Sequence, residues 1–160
     1  MEREVTVRER SAALVVSKRF PVRLSEIGGA LGMAFGEVYG HLGARRVEGD
    51  GPPFVIYHGM PMADEPFDIE VCAPVAHPVD PPPGWQALEL PAGTFVTLLH
   101  VGPYDAVASA YTTLTGWIGH HGLAVSGPPR EVYLSPPDTP PAQIRTIIEF
   151  PVARLAAPIP

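Results

Sequence analysis

An acid and a phenol stand two residues apart in the segment Gly127–Leu134, as Glu131 and Tyr133. The segment opens with a Gly-Pro-Pro turn and continues with residues that favour a β-strand. Because residues i and i+2 of a strand point to the same face, the carboxylate and the hydroxyl are predicted to lie side by side. In an apolar cleft, this carboxylate could attract a ligand cation or activate water as a general base. The alternative is that Glu131 faces solvent, with Val132 and Leu134 forming the buried face.

Aromatic side chains could complete a site around the acid. Tyrosine and tryptophan rings stack on planar guests and attract cations through their faces, at about 0.5–2 kcal/mol each. Each ring taken alone could equally belong to the core, so the prediction concerns the set. We predict a cleft lined by Tyr133, Tyr57, Tyr104 and Trp117, with Tyr39 as a further ligand contact and with Trp85 and Phe95 at the mouth.

Other common chemistries lack their motifs. The six histidines show no i, i+4 pair with a helper acid, and the single cysteine, Cys72, excludes an internal disulfide and a cysteine-based metal site. No Gly-rich phosphate loop or Gly-x-Ser-x-Gly elbow is present. We therefore expect no metal and no cofactor, and the cysteine content favours a reducing cytoplasm.

The composition is that of a globular chain with many turns. Of its 160 residues, 46% are hydrophobic and 18% charged, and the chain contains 21 prolines and 16 glycines. The net charge of −6 and the lack of a basic stripe argue against direct nucleic-acid binding. The charged N-terminus is unlike a signal peptide, and no apolar run is long enough to span a membrane.

The elements that must position these side chains follow from periodicity. Helices are predicted over 21–43 and 103–122, the second with a stripe of Val107, Tyr111, Leu114 and Ile118. Strands are predicted over 4–20, with an irregularity near Ser11-Ala12, and over 54–58, 67–75 (half-buried), 85–90, 94–101, 130–135 and 144–152. The segments 59–66 and 91–93 read as hairpin connections, 77–84 as a stiff linker and 153–160 as a loosely held tail.

The first helix carries glycine at every fourth position, as Gly28, Gly32, Gly36 and Gly40. Each costs about 1 kcal/mol relative to alanine in a helix interior. Two interpretations stay open: tolerated compositional bias, or a small-residue ridge that lets a backbone or a ligand come close.

The two halves of the chain repeat one another. Gly51-Pro52-Pro53 precedes Tyr57 at the same spacing at which Gly127-Pro128-Pro129 precedes Tyr133, and the order strand, helix, strand, strand recurs. We predict an α+β domain over 1–152, built from pseudo-repeats of about 4–76 and 85–152 with pseudo-two-fold symmetry. Its antiparallel sheet would carry two helices on one face, with a ligand cleft between them. In this alignment Glu131 corresponds to Val55, so one acid breaks an apolar pattern.

The second half resembles a known family. The run His100-Val101-Gly102-Pro103-Tyr104, the helix with Tyr111 and Trp117, Glu131 with Tyr133, and the last strand from Thr146 to Val152 look like GyrI-like small-molecule-binding proteins. The same domain is the effector-binding part of multidrug-responsive transcription regulators. Because the chain begins at its first strand, it resembles the stand-alone branch without a DNA-binding segment.

The resemblance implies that Glu131 is the acid of an aromatic cleft for hydrophobic, aromatic or cationic drug-like molecules. It also leaves an enzyme open, because some relatives resemble hydrolases of cyclopropane-bearing toxins; Glu131 would then activate water, with Tyr133 donating a hydrogen bond. A third alternative is an inhibitor that binds a protein partner such as a topoisomerase, which would suit the acidic balance. The ligand and the oligomeric state are not predicted.

Overall fold

The computed structural model describes residues 4–59, 65–136 and 138–155. In chain order these form β1 (Val5–Arg10), β2 (Ala13–Val22), α1 (Ile27–Ala44), β3 (Phe54–Tyr57), β4 (Phe67–Pro74), β5 (Gln86–Leu90), β6 (Gly93–Val101), α2 (Ala108–His120), β7 (Leu123–Val125), β8 (Arg130–Tyr133) and β9 (Arg145–Arg154). Short 3-10 turns precede α1, α2 and β9 at Leu24–Glu26, Tyr104–Ala106 and Pro141–Gln143. Over this part of the chain, neither helix combines the length and apolarity needed to cross a bilayer.

The chain divides into two compact units. The N-terminal unit is Ser11–Ala92, whose strands pair antiparallel in the order β3-β4-β2-β5. The C-terminal unit takes the described residues up to Arg10 and those from Gly93 onward, with antiparallel order β1-β6-β9-β8. In addition, β7 pairs with the end of β9. Each unit contains one helix, so the predicted α+β class with antiparallel sheets is confirmed.

The core of the C-terminal unit lies between α2 and one face of its sheet. Leu114 and Ile118 of the predicted stripe are buried on α2, as is Ala110, which the prediction did not include. They pack against Leu98 on β6 and against Ile148 and its even-numbered neighbours on β9. Val107 and Tyr111 complete the stripe and are partly buried against the same cluster. The face of the sheet that α2 covers is therefore the face on which the side chain of Ile148 lies.

The two units pair their strands in matching registers, as the predicted duplication would require. Across β2, β4 and β3, Lys18 lies opposite Val71, which lies opposite Val55. Across β6, β9 and β8, Leu98 lies opposite Ile148, which lies opposite Glu131. The next row of each unit ends in one of the two corresponding tyrosines. In the N-terminal unit this row is Phe20, Ile69 and Tyr57, and in the C-terminal unit it is His100, Thr146 and Tyr133.

Two predicted strand assignments are wrong. The segment 4–20 is not one strand, because the chain leaves the C-terminal unit after Arg10 and enters the other at Ser11. Likewise β5 and β6 do not form a hairpin, since β5 pairs with β2 whereas β6 pairs with β1 and β9. A Pro-Ala-Gly turn signal marks where a chain bends, but it does not specify which strand each arm will join.

Smaller differences concern burial and ends. Strand β4 was predicted to be half-buried, yet from Ile69 to Pro74 every residue is buried, so both faces are covered. The short strand β7 was not predicted, and β9 continues through Ala153 and Arg154, the start of the predicted tail. Of the predicted 59–66 connection, residues 60–64 lie outside the described residues, as do 156–160 of the tail.

The glycine ridge of α1 points outward. Gly28, Gly32, Gly36 and Gly40 are exposed, and a Cβ added at any of them would meet nothing within 4 Å. Within the described chain, no backbone packs onto the ridge. The helix is held instead by its opposite side, where Ala34, Val38 and Leu42 are buried.

Candidate functional site

Glu131 lies on the helix-covered face of the C-terminal sheet. It stands on β8 directly opposite Ile148, and residues opposite one another across strands share a face. Its side chain is 7% exposed. The interpretation of Glu131 as an ordinary surface acid is therefore wrong. Periodicity could not decide this point, because Val132, on the other face, is also buried.

Two phenols donate hydrogen bonds to the Glu131 carboxylate. The Tyr111 hydroxyl lies 2.5 Å from Oε2, and the Tyr133 hydroxyl lies 3.3 Å from Oε1. Tyr111 reaches the acid from α2, where it continues the buried stripe, and its ring packs edge-on against Phe150, with ring centroids 5.8 Å apart. Tyr133 reaches it along the strand, as the i, i+2 spacing predicts. Because burying a carboxylate costs several kcal/mol, these donors offset part of that cost.

Tyr104 extends the cluster toward solvent. Its ring meets that of Tyr133 edge-on with centroids 5.7 Å apart, and the residue is 48% exposed. Burial raises the pKa of the Tyr104 phenol above its usual value, and the negative charge of Glu131 raises it further. The approach to the acid therefore runs from an exposed ring, past a half-buried one, to a buried carboxylate. We call Glu131, Tyr111, Tyr133 and Tyr104 the acid–phenol cluster.

The turn that presents Tyr104 is set by two residues of the predicted His-Val-Gly-Pro-Tyr run. Gly102 adopts φ +137°, which L side chains rarely adopt, so glycine is required there. His100 is 1% exposed, and its Nε2 lies 3.1 Å from the Pro103 carbonyl oxygen. Since a carbonyl only accepts, this nitrogen carries the proton. The ring thereby ties the end of β6 to the turn.

The other two predicted site residues of the C-terminal unit have different surroundings. Trp117 packs partly buried against the core, and its ring stacks on His121 with centroids 3.7 Å apart. Phe95 lies opposite Pro151, on the sheet face that does not carry Glu131. The Arg130 guanidinium lies 4.5 Å from the centre of its ring. The structure thus does not bring Phe95 to the acid.

Tyr57, Tyr39 and Trp85 belong to the N-terminal unit. Tyr57 stacks on Phe67 at a centroid separation of 6.4 Å. Tyr39 on α1 lies 6.4 Å from the ring of Phe35, and burial raises the pKa of Tyr39 to about 12.

Trp85 is fixed between two charged side chains of the same unit. Its indole N–H donates to Glu37 on α1 over 2.7 Å, and the Lys18 ammonium lies 6.0 Å from the ring centre. That ammonium is also 5.9 Å from the ring of Phe20. The row of Lys18, Val71 and Val55 therefore holds a cation among aromatic rings, whereas its counterpart in the C-terminal unit holds an acid.

Two other buried acids of the chain are paired with basic side chains. Glu70 in the N-terminal unit lies 2.8 Å from His58, and Glu149 in the C-terminal unit lies 3.0 Å from Arg10. These pairs join acids to basic side chains, a common way to bury a charge. Glu131 accepts hydrogen bonds from two phenols, which stabilise the charged form of a carboxylate.

The sequence prediction did not select Tyr111, although it placed this residue in the buried stripe of the helix. A buried tyrosine needs a partner for its hydroxyl, so a tyrosine in an otherwise apolar stripe was the available signal. His100 and Thr146 are part of the sequence prediction only as members of the family-like segments, without a role of their own.

Comparison with known proteins gives the family. A model of the GyrI-like small molecule binding domain matches residues 3–153. The chain belongs to the GyrI-like family. No curated protein matches it significantly.

Solved structures of similar fold include that of the EcmrR C-terminal domain. It is 26% identical with a TM-score of 0.79, over 97% of this chain and 100% of that domain. The EcmrR chain in a complex with DNA is also 26% identical, with a TM-score of 0.84 over 96% of this chain. This chain spans only 58% of that EcmrR chain. SAV2435 bound to tetraphenylphosphonium is 16% identical with a TM-score of 0.65, over 96% of this chain and 94% of the SAV2435 chain. A hydrolase from Listeria innocua is 14% identical with a TM-score of 0.65, over 95% of this chain and 93% of the hydrolase chain. These last two show the fold alone.

Proposed function

We propose that this GyrI-like chain binds small aromatic cations, with Glu131 as the ionic anchor and the phenols of Tyr111, Tyr133 and Tyr104 as its surroundings. The observation that carries the proposal is the buried carboxylate held by two phenol hydrogen bonds at 2.5 and 3.3 Å. Hydrogen bonds to both oxygens stabilise the charged form of the acid. A negative charge in a poorly solvated position attracts a cation more strongly than the same charge in water.

The aromatic rings favour cations of a particular kind. The faces of tyrosine rings attract ammonium, guanidinium or phosphonium centres, and their apolar area accommodates the hydrophobic substituents of such cations. The exposed ring of Tyr104 offers the first contact, and Tyr133 lies between it and the acid. Membership of a small-molecule-binding family and the tetraphenylphosphonium bound to SAV2435 support the same class of ligand.

Calorimetric titration with two ions of nearly equal shape tests the proposal. Tetraphenylphosphonium is expected to bind, and tetraphenylborate, which carries the opposite charge, is not. A hydrogen bond or ion contact to a charged group is worth about 1.5–3 kcal/mol, so Glu131→Gln should weaken phosphonium binding roughly 10- to 100-fold. Equal binding of both ions, or full affinity in this variant, would contradict the proposal.

A matched control is available in the same sheet. Glu149 is also a buried acid, but it stands on β9 one residue beyond Ile148 and therefore on the opposite face. Glu149→Gln makes the same change of charge and keeps an oxygen that can accept from Arg10. This variant should bind tetraphenylphosphonium as the wild type does.

Hydrolysis of a strained, cyclopropane-bearing electrophile is the second candidate. Its support is the hydroxyl of Tyr133 beside the carboxylate, and the fold shared with a Listeria innocua hydrolase. Glu131 would take a proton from water, the water oxygen would bond to a ring carbon, and the carbon released by ring opening would take up a proton. The two phenol hydrogen bonds make the carboxylate a weaker base, which favours binding over this reaction.

Mass spectrometry distinguishes the two candidates. Turnover would convert a cyclopropane-bearing alkylating agent into a product heavier by one water, and Glu131→Gln would abolish that product. If the product forms at the same rate in wild type, variant and buffer, the chain is not a hydrolase of this substrate class.

A further inference from the structure

The row beside Glu131 contains polar atoms that the protein itself does not satisfy. Within the described residues, His100 Nδ1 and Thr146 Oγ1 are fully buried and have no hydrogen-bond partner. The two residues stand directly opposite one another across β6 and β9, and Tyr133 stands opposite Thr146 on β8. All three therefore lie on the helix-covered face that carries Glu131.

One hydrogen bond defines the tautomer of a neutral His100 ring. Because Nε2–H donates to the Pro103 carbonyl over 3.1 Å, a neutral ring leaves Nδ1 as an acceptor. Thr146 offers a hydroxyl, which can donate and accept. A group that both donates and accepts, such as an O–H, matches the pair.

The second repeat shows that this row does not have to be polar. In the N-terminal unit the corresponding positions are Phe20 and Ile69, opposite Tyr57. The same strand geometry is thus built with apolar side chains. Leaving a buried polar atom unpaired costs about 1–3 kcal/mol, so the polar pair is costly for stability alone.

We infer that His100 and Thr146 form a second polar subsite, which receives a neutral hydroxyl group of the ligand that Glu131 anchors. The hydroxyl would donate to Nδ1 of His100 and accept from Oγ1 of Thr146. This inference rests on the proposed function for the cationic part of the ligand. It narrows the ligand class to aromatic cations that carry a hydroxyl, since the two rows lie about 7 Å apart along the strands.

Two probes that differ by one oxygen atom test the subsite. Tetraphenylphosphonium and (4-hydroxyphenyl)triphenylphosphonium are titrated calorimetrically into wild type, Thr146→Val and Thr97→Val. Thr97 is the matched control, because it is a buried threonine on β6 that pairs with Glu149 on the opposite face.

We expect wild type and Thr97→Val to bind the hydroxyl probe about 5- to 30-fold more tightly than tetraphenylphosphonium, because the hydroxyl makes two neutral hydrogen bonds of about 0.5–1 kcal/mol each. Thr146→Val should lose about half of this preference on a logarithmic scale, because only the bond to Nδ1 of His100 remains. Equal binding of the two probes to wild type, or an unchanged preference in Thr146→Val, would overturn the subsite.

Phenol provides a test that does not depend on the Glu131 anchor. When the His100 ring is neutral, a hydrogen bond from phenol should move the ¹⁵N resonance of Nδ1 to lower frequency. Fluorobenzene, which has no hydroxyl, should not move it. Thr146→Val should reduce the shift. If neither phosphonium binds, the proposed function fails, and the phenol experiment still decides the subsite. If phenol leaves the resonance unmoved, or if only a buried water occupies the pair in a crystal soaked with phenol, the inference is wrong.

Discussion

Corresponding rows of the two units carry side chains of opposite charge. In the N-terminal unit the row of Lys18, Val71 and Val55 carries an ammonium group, which lies near the rings of Phe20 and Trp85. In the C-terminal unit the corresponding row, Leu98, Ile148 and Glu131, carries a carboxylate among phenols. The N-terminal row thus places an ammonium group near aromatic rings, and the C-terminal row places a carboxylate beside phenol hydroxyls.

This difference lies in a small number of side chains. The strand register is the same in both units, so the backbone does not create the chemistry. Three positions do: the end of the first row changes from Val55 to Glu131, and the next row changes from Phe20 and Ile69 to His100 and Thr146. Each of these three positions has a buried polar side chain in the C-terminal unit and an apolar side chain in the N-terminal unit.

The largest expected effect comes from placing the acid in the wrong unit. Val55→Glu would bury a carboxylate at a position that is 0% exposed, and we expect a loss of about 3–5 kcal/mol in the free energy of unfolding. Urea denaturation measures the loss. Val55→Gln has a similar size without the charge, so the difference between the two variants isolates the cost of ionisation. A difference below about 1 kcal/mol would show that Lys18, in the same row, compensates the new acid.

Tyrosine ionisation gives an effect of intermediate size. Burial alone raises the pKa of Tyr39 to about 12, whereas the raised pKa of Tyr104 has burial as its first cause and the charge of Glu131 as its second. Glu131→Gln should therefore move the pKa of Tyr104 back toward its usual value and leave that of Tyr39 unchanged. Carbon-13 NMR of the tyrosine Cζ atoms between pH 9 and 12 resolves the two. A shift of both, or of neither, would contradict the assignment of the causes.

The same values predict an alkaline loss of stability. A folded pKa raised above the unfolded value of about 10 contributes stability that is complete below pH 10 and is lost as the pH rises toward about 12. The sign follows because the unfolded chain releases its proton first. Tyr39→Phe should flatten this part of the stability profile, as followed by thermal unfolding at each pH.

The smallest expected effect tests the glycine ridge of α1. Gly36 is exposed and a Cβ there meets nothing within 4 Å, so Gly36→Ala should raise the free energy of unfolding by about 0.5–1 kcal/mol. Binding of tetraphenylphosphonium should not change. If the substitution weakened binding instead, α1 would take part in recognition and the contrast between the units would need revision. Gly116→Ala on α2, which is equally open, is the matched control.

Much of the fold could be predicted from the sequence because the signals are local. Apolar residues every three or four positions identified both helices. The equal spacing from each Gly-Pro-Pro turn placed Tyr57 and Tyr133 in correspondence, and the strand registers put them in matching rows. The pairing of β1 with β6 and of β5 with β2 could not be predicted. Strands whose paired residues are 69 or more positions apart leave no local pattern that distinguishes one partner from another.

The acid–phenol pair illustrates the same division. The sequence by itself determined that Glu131 and Tyr133 share a face, because alternation along a strand is a property of the backbone. It also singled out Glu131 as the acid that breaks the repeat. Only the tertiary structure decided that this face is the one covered by α2. Both faces of β8 are buried, so the periodicity of the sequence does not indicate which face packs against the helix. The contact with Tyr111 and the unpaired atoms of His100 and Thr146 likewise depend on packing between distant segments.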